Sequence, residues 1–226
     1  MKILTNFPYS PFTRKAGSGQ RFLQNILGLR NLGHEILLWS IDHESKYKWL
    51  PGDIKLAKQE GIKIHLTKSW ELPLGLLENI DLIWCNYYNF FFLFQEFEGP
   101  ILIDGHDILS VNEQINEFFK QHLTKIGTKN TFRYHPEIFN PPLAPFPILE
   151  DELNAYRQCD LVVTISQEET VRLEQNGIKT KWIPYQNFEE FPLSTRSGPP
   201  IFTGSANLHN LFATDFLGEI LIPAIR

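Results

Sequence analysis

Asp160-Leu161-Val162-Val163-Thr164-Ile165-Ser166-Gln167-Glu168-Glu169 is the stretch whose reading decides the fold. Leu161 to Ile165 is almost continuously apolar and β-prone, which predicts a strand buried on both faces, as in a parallel sheet. Ser166 to Glu169 then has the form of a capping box. The Ser166 hydroxyl would accept from the Glu169 amide while the glutamate carboxylate reaches back. A doubly buried strand feeding directly into a capped helix is half of a βαβ unit.

The same alternation extends outward in both directions. Downstream, the helix runs to Gly177 and a strand follows over Lys179 to Ile183. Upstream, short apolar runs at Pro100 to Asp104, Asp81 to Cys85, Ile62 to Leu66, Glu35 to Trp39 and Lys2 to Thr5 read as strands. Between them lie two helical stretches. Gln20 to Leu32 carries Phe22, Leu23, Ile26, Leu27 and Leu29 on one face and is stopped by Gly33-His34. Asp53 to Glu60 is stopped by Gly61. Right-handed crossovers then give an α/β fold, a Rossmann-like parallel sheet with helices on both faces. Three stretches break this pattern. Tyr87 to Phe94 is aromatic and reads as a core helix, being far shorter than the ~20 residues of a membrane span. Ile126 to Pro147 is rich in proline and aromatics and reads as a long functional or disordered loop. Gln186 to Pro199 has linker composition.

The chain's end is the unbalanced part. Pro200 to Ser205 reads as a strand, and Phe212, Phe216, Leu217, Ile220 and Leu221 recur at helical spacing. One strand and one helix cannot cover each other, and each large apolar side chain left in water forgoes roughly 1.5–3 kcal/mol. The expected organisation is therefore a domain over 1–187, a linker over 188–199 and the start of a second α/β domain over 200–226. The plain alternative is that the last helix packs back on the first domain.

Bulk properties exclude several classes. A net charge of -5 and the absence of a basic block with interleaved aromatics argue against nucleic acid as partner. Cys85 and Cys159 make neither a disulfide framework nor a zinc site and read as small buried hydrophobes, which suggests a cytoplasmic setting. Asn6 and Pro8 interrupt the start before a signal-peptide core can form. Shallow contact at the inner face of the membrane is the one membrane role the aromatic run leaves open. His34, His43, His65, His122, His135 and His209 lack metal-ligand spacing, so no metal is expected.

In open parallel sheets, ligands bind beyond the carboxyl ends of the strands. Three segments arrive there. Ala16-Gly17-Ser18-Gly19, between first strand and first helix, would let backbone amides and a helix N-terminus approach an anion, or is simply a flexible turn. Asp104-Gly105-His106-Asp107 gathers three ionisable side chains after a strand. His106 could donate to a sugar hydroxyl or a phosphate, or act as an acid or base. The alternative there is a polar turn in which Asp104 or Asp107 caps the next helix. Ser166 is sufficiently explained as a helix cap, and no G-x-S-x-G elbow marks a serine nucleophile.

Taken in order, these pieces resemble the N-terminal half of a retaining GT-B glycosyltransferase. The likeness rests on Lys2-Ile3-Leu4 with its glycine-bearing loop, on Asp104-Gly105-His106-Asp107, on Glu152 with Asp160 to Ser166 eight positions later, and on the exit strand Lys181 to Tyr185. Phe202-Thr203-Gly204-Ser205 and Asn207 to Pro223 resemble the opening of the donor domain. The departure is Ser18, which separates Gly17 from Gly19 where the family often has adjacent glycines. The resemblance implies an enzyme of hexosyltransferase type that moves a sugar from a nucleotide-sugar donor to a hydroxyl acceptor, with no further cofactor and no metal. This chain would be the acceptor half, inactive or nearly so without its donor domain or a partner subunit. By the same resemblance, Gly17, Ser18 and Gly19 would bind the donor diphosphate. His106 would contact the transferred sugar or the diphosphate, and Asp107 would orient His106 or cap the following helix. Glu152 and Ser166 are taken as structural. The aromatics of Ile126 to Pro147 would suit a sugar or lipid-linked acceptor. Two rivals stand beside this reading. One is a non-catalytic subunit or binding module of a split glycosyltransferase. The other is a Rossmann-like cofactor protein, weakened by the missing G-x-G-x-x-G and by the lack of an acidic residue in clear ribose register.

Overall fold

A computed structural model describes residues 1–12, 17–42, 48–121, 123–126, 131–134 and 146–184. The chain divides into two units. The first, Met1–Ile108 with Glu150–Asn187, holds the sheet and the candidate site. Its strands are β1 (Lys2–Asn6), β2 (Glu35–Ile41), β3 (Lys63–Thr67), β4 (Leu82–Asn86), β5 (Ile101–Gly105), β8 (Leu161–Thr164) and β9 (Thr180–Trp182), with α1 (Gly17–Asn31), α2 (Pro51–Gln59), α4 (Glu150–Gln158) and α5 (Gln167–Glu174) around them. In the second unit the described elements are α3 (Leu109–Gln121) and a hairpin of β6 (Leu123–Ile126) and β7 (Thr131–Tyr134).

The seven strands of the first unit form one all-parallel sheet in the order β3-β2-β1-β4-β5-β8-β9. This is the α/β, Rossmann-like arrangement read from the sequence. Burial shows why the strands are so apolar. Successive side chains point to opposite faces, yet Leu38 and Trp39 are both fully buried, as are Ile3 and Leu4, so both faces of the sheet are covered. Leu38 and Ile3 join Phe22 and Ile26 of α1, Ala57 of α2, and Trp49 in one core cluster, with Leu23, Leu27 and Leu29 packed half-buried against it. Trp39, on the other face, meets the ring of Phe94 at 5.8 Å and that of Trp70 at 5.2 Å.

Local stops fall where the sequence places them. Gly33 (φ 87°) and Gly61 (φ 68°) adopt the left-handed conformation after α1 and α2. There the amides of His34 and Ile62 bond back to the carbonyls of Leu29 and Ala57 at 3.2 and 2.9 Å. At the start of α5, Ser166 Oγ accepts from the Glu169 amide at 3.1 Å, the first half of the expected capping box. The Glu169 carboxylate takes a different partner, Oε1 accepting from the Ile108 amide at 3.1 Å.

Two elements differ from expectation. Tyr88–Phe94 is a 3-10 helix. Its aromatic side chains are poor helix formers, and three residues per turn places Phe91 and Phe94, both buried, one above the other. Leu123–Ile126 and Thr131–Tyr134, at and within the stretch read as one long loop, pair antiparallel, Leu123 opposite Tyr134 and Ile126 opposite Thr131. Near that stretch's end, Phe146 packs on Phe118 of α3 at 5.9 Å, and the Leu149 amide donates to Ser110 Oγ at 3.0 Å. The rest of that loop, the linker over 188–199 and the residues over 200–226 lie outside the described residues. Among the described residues no helix is long and apolar enough to cross a membrane.

Candidate functional site at the topological switch point

β1 lies between β2, which runs on to β3, and β4, which runs on to β5. The direction of strand addition therefore reverses between β1 and β4, and the space beyond their carboxyl ends is where open parallel sheets bind ligands. The polar residue that ends each strand bridges this gap. Asn6 Oδ1 accepts from the Asn86 amide at 2.9 Å, and Asn6 Nδ2 donates to the Asn86 carbonyl at 3.3 Å. Asn86 Nδ2 donates to the Asn6 carbonyl at 2.7 Å and to Thr5 Oγ1 at 3.0 Å. Both asparagines are fully buried. Their side-chain amides thus satisfy backbone groups where the parting strands no longer pair.

His106 sits on this bridge. Its Nε2 lies 3.1 Å from Asn86 Oδ1, and it is 4% exposed. The Tyr87 ring covers it at 4.8 Å, and the Phe7 ring meets it edge-on at 6.3 Å. Burial pulls the imidazole pKa below its ordinary value, with Arg21 pushing the same way and Asp104 opposing. Tyr87 has φ 66° and ψ 140°, a conformation rare for a residue with a side chain. Backbone strain of this kind costs of order 1–3 kcal/mol and gathers at functional sites. Its amide donates to the Asp104 carbonyl at 3.2 Å. Burial raises the Tyr87 phenol to about 12.

Asp104 does not cap a helix. It is fully buried, with Oδ1 accepting from Arg21 Nη2 at 3.2 Å and Oδ2 from Asn25 Nδ2 at 3.1 Å. Arg21 Nη1 donates to the Ile183 carbonyl at 2.9 Å, beyond the end of β9. Arg21 Nε is buried with no hydrogen-bond partner among the described residues. Asp107 is exposed, and its charge helps hold up the pKa values of Tyr87 and Glu169.

Gly17, Ser18 and Gly19 form the first turn of α1 rather than a loop before it. First-turn amides have no acceptor within their own helix. Ser18 Oγ lies 3.1 Å from the Tyr9 hydroxyl and also bears on the Tyr87 phenol, which links this turn to the ring that covers His106. So the glycine-flanked turn and His106 both bear on Tyr87, beyond the carboxyl ends of β1 and β4. The structure adds Asn6, Asn86, Arg21, Asn25 and Tyr87, which sequence reading missed. The available signal was a polar residue ending an apolar strand, at Asn6 and again at Asn86.

Three further expectations can be placed. Cys85 is fully buried and Cys159 half-buried; both are free thiols, and burial raises both pKa values, Cys159 to about 12. Glu152 is fully buried and accepts from the Tyr156 hydroxyl at 2.7 Å, a partner that ties α4 to itself. An acidic residue does follow β2, in the place from which a ribose could be met. It is Asp42, which already accepts from Lys68 Nζ at 3.1 Å and from the Trp49 amide at 3.2 Å. Among the described residues no group of three or more histidine, cysteine, aspartate or glutamate side chains could hold a metal ion. A hollow of about 870 Å³ beside α2 and β3 is lined by Leu37, Ile54, Ile62 and Leu66 with Lys58 and Lys63, and it offers no acid, base or nucleophile beyond those lysines.

The fold and site together define an open parallel α/β protein with a buried polar cluster at its switch point. The chain matches no protein-family model and no curated protein.

Proposed function

We propose that the chain is the acceptor-side half of a glycosyltransferase that passes a sugar from a nucleotide-sugar donor to a hydroxyl acceptor. The observation that carries this reading is the meeting of the Gly17-Ser18-Gly19 turn and a buried, oriented His106 at one switch point. The side-chain-free glycines let a diphosphate approach the α1 amides, and the helix dipole favours the charge that builds on it as the sugar leaves. His106 meets the sugar beside that diphosphate, and Asp107 bears on the charge at its rim. The nucleotide itself is held by a donor domain or partner subunit. No metal enters the reading. Two free cysteines are in keeping with a cytoplasmic setting; peripheral membrane contact has no support beyond the exposed Phe92.

The test is turnover of the protein isolated from its own cells, wild type against His106→Ala, across a panel of nucleotide sugars. We expect a loss of at least about 100-fold, the scale of one positioned catalytic group. Unchanged turnover would remove His106 from the reaction. A second reading, dinucleotide binding, is favoured only by the position of Asp42 after β2. Tight binding of NAD would support it.

A further inference from the structure

His106 could serve a ligand in opposite ways. A ring nitrogen carrying a proton donates to phosphate oxygens; a bare one accepts from a hydroxyl. The surroundings of Asn86 choose between them. Asn86 Nδ2 lies 2.7 Å from the Asn6 carbonyl, which can only accept, so that position must be the NH2 group. Reversing the amide would set two oxygens against each other, and Thr5 Oγ1, whose proton goes to the Trp84 carbonyl at 2.8 Å, would have none to give in exchange. The atom facing His106 Nε2 at 3.1 Å is therefore the amide oxygen, and Nε2 must carry the proton. Among the described residues Nδ1 has no hydrogen-bond partner.

We infer that Asn86 is a positioning residue that fixes His106 as its neutral Nε2–H tautomer, so that Nδ1 presents a lone pair and selects a hydroxyl donor over a phosphate. This inference places the ligand by the proposed function and deepens it, since it assigns His106 to the sugar and leaves the diphosphate to the first turn of α1. The charged and titratable groups around the ring agree. Burial opposes the imidazolium most strongly and Arg21 on α1 adds to it, Asp104 on β5 alone favours it, and the Tyr87 phenol stays neutral. A neutral ring in this tautomer repels a phosphate oxygen at Nδ1 and accepts an O–H there.

Two-bond nitrogen–proton NMR of the uniformly labelled whole chain reads the tautomer directly, with the His106 signal assigned by its loss in His106→Gln. The wild-type spectrum should show a single Nε2–H tautomer at pH 7. A signal from Nδ1–H, from a tautomer mixture or from imidazolium would overturn the inference. Asn86→Ala should give a mixture, and an unchanged single tautomer would remove Asn86 from the role. Asn86→Asp would set a carboxylate oxygen against the Asn6 carbonyl and is no substitute; the wild-type spectrum decides the matter if the alanine variant does not fold. Inorganic phosphate should leave Nδ1 unmoved; a direct shift there contradicts the selection of a hydroxyl. None of these readings depends on sugar transfer. Failed transfer with an Nε2–H ring counts against the proposed function alone, and active transfer with an Nδ1–H ring counts against this inference alone.

Discussion

The two sides of β1 are built from opposite materials. Toward β2 and β3, the face covered by α1 and α2 is mainly apolar: Ile3, Phe22, Ile26, Ile36, Leu38, Ala57 and Ile62 are all buried, with Ser40 and Asp53 as buried polar exceptions. Toward β4 and β5, the carboxyl ends are equally buried yet polar, holding Asn6, Asn86, Asp104, Arg21 and His106. Apolar burial stabilises by roughly 1.5–3 kcal/mol per large side chain, whereas each intramolecular hydrogen bond nets only about 1 kcal/mol. Hydrophobic residues at the second place would serve stability at least as well. The polar set is explained by what it holds in place, a strained Tyr87 and a desolvated His106. One region is the apolar core and the other is the candidate site.

This contrast can be broken by substitution. The largest effect should come from Asp104→Ala, which leaves the Arg21 guanidinium buried and unpaired. Urea unfolding should show a loss of about 3–5 kcal/mol, and Arg21→Met with Asp104→Leu should restore most of it. Recovery of stability without recovery of any site function would separate the two roles; no recovery would mean that the pair itself holds the fold. On the apolar side, Phe22→Ala should cost a comparable 3–5 kcal/mol, yet ligand binding measured well below the melting temperature should survive. Equal loss of binding would erase the distinction between the regions.

A smaller effect should appear in the pH dependence of stability. The folded-state pKa of His106 lies below the ordinary 6.5, so the unfolded chain takes up this proton first. The neutral ring's contribution is fully present above about pH 6.5 and is lost as pH falls through the folded value. His106→Gln should flatten that part of the curve; an unchanged slope would place the ring in solvent. The smallest effect should come from Lys63→Ala. Its partner Glu35 lies on an exposed surface, and such a variant should melt with wild type.

The apolar side was largely legible in the sequence, and the polar side was not. Strands showed as apolar runs, and the stops at Gly33 and Gly61 are set by neighbours a few residues away. Ser166 likewise caps α5 through an amide only three residues away. The bridge between Asn6 and Asn86, by contrast, joins residues that only the sheet order brings together, as does the Arg21–Asp104 pair. A polar residue ending an apolar strand marks Asn6 and Asn86 singly, but no local pattern marks either pair as partners. Asp104, one of two residues the plain alternative offered as a cap, is therefore found only in the structure as an ion-pair partner. The pairing of β6 with β7 escaped notice because proline and aromatic content suggested a loop. The 3-10 turn at Tyr88–Phe94 follows from aromatic packing that periodicity does not capture.

The central claim is that the ligand site lies at the switch point. It is tested most directly by amide hydrogen exchange of the whole chain, with and without a panel of nucleotide sugars. The account predicts slowed exchange in the first turn of α1 and over Asp104 to Asp107, with the apolar hollow beside α2 and β3 unchanged. Protection confined to that hollow, or around Asp42 alone, would contradict it.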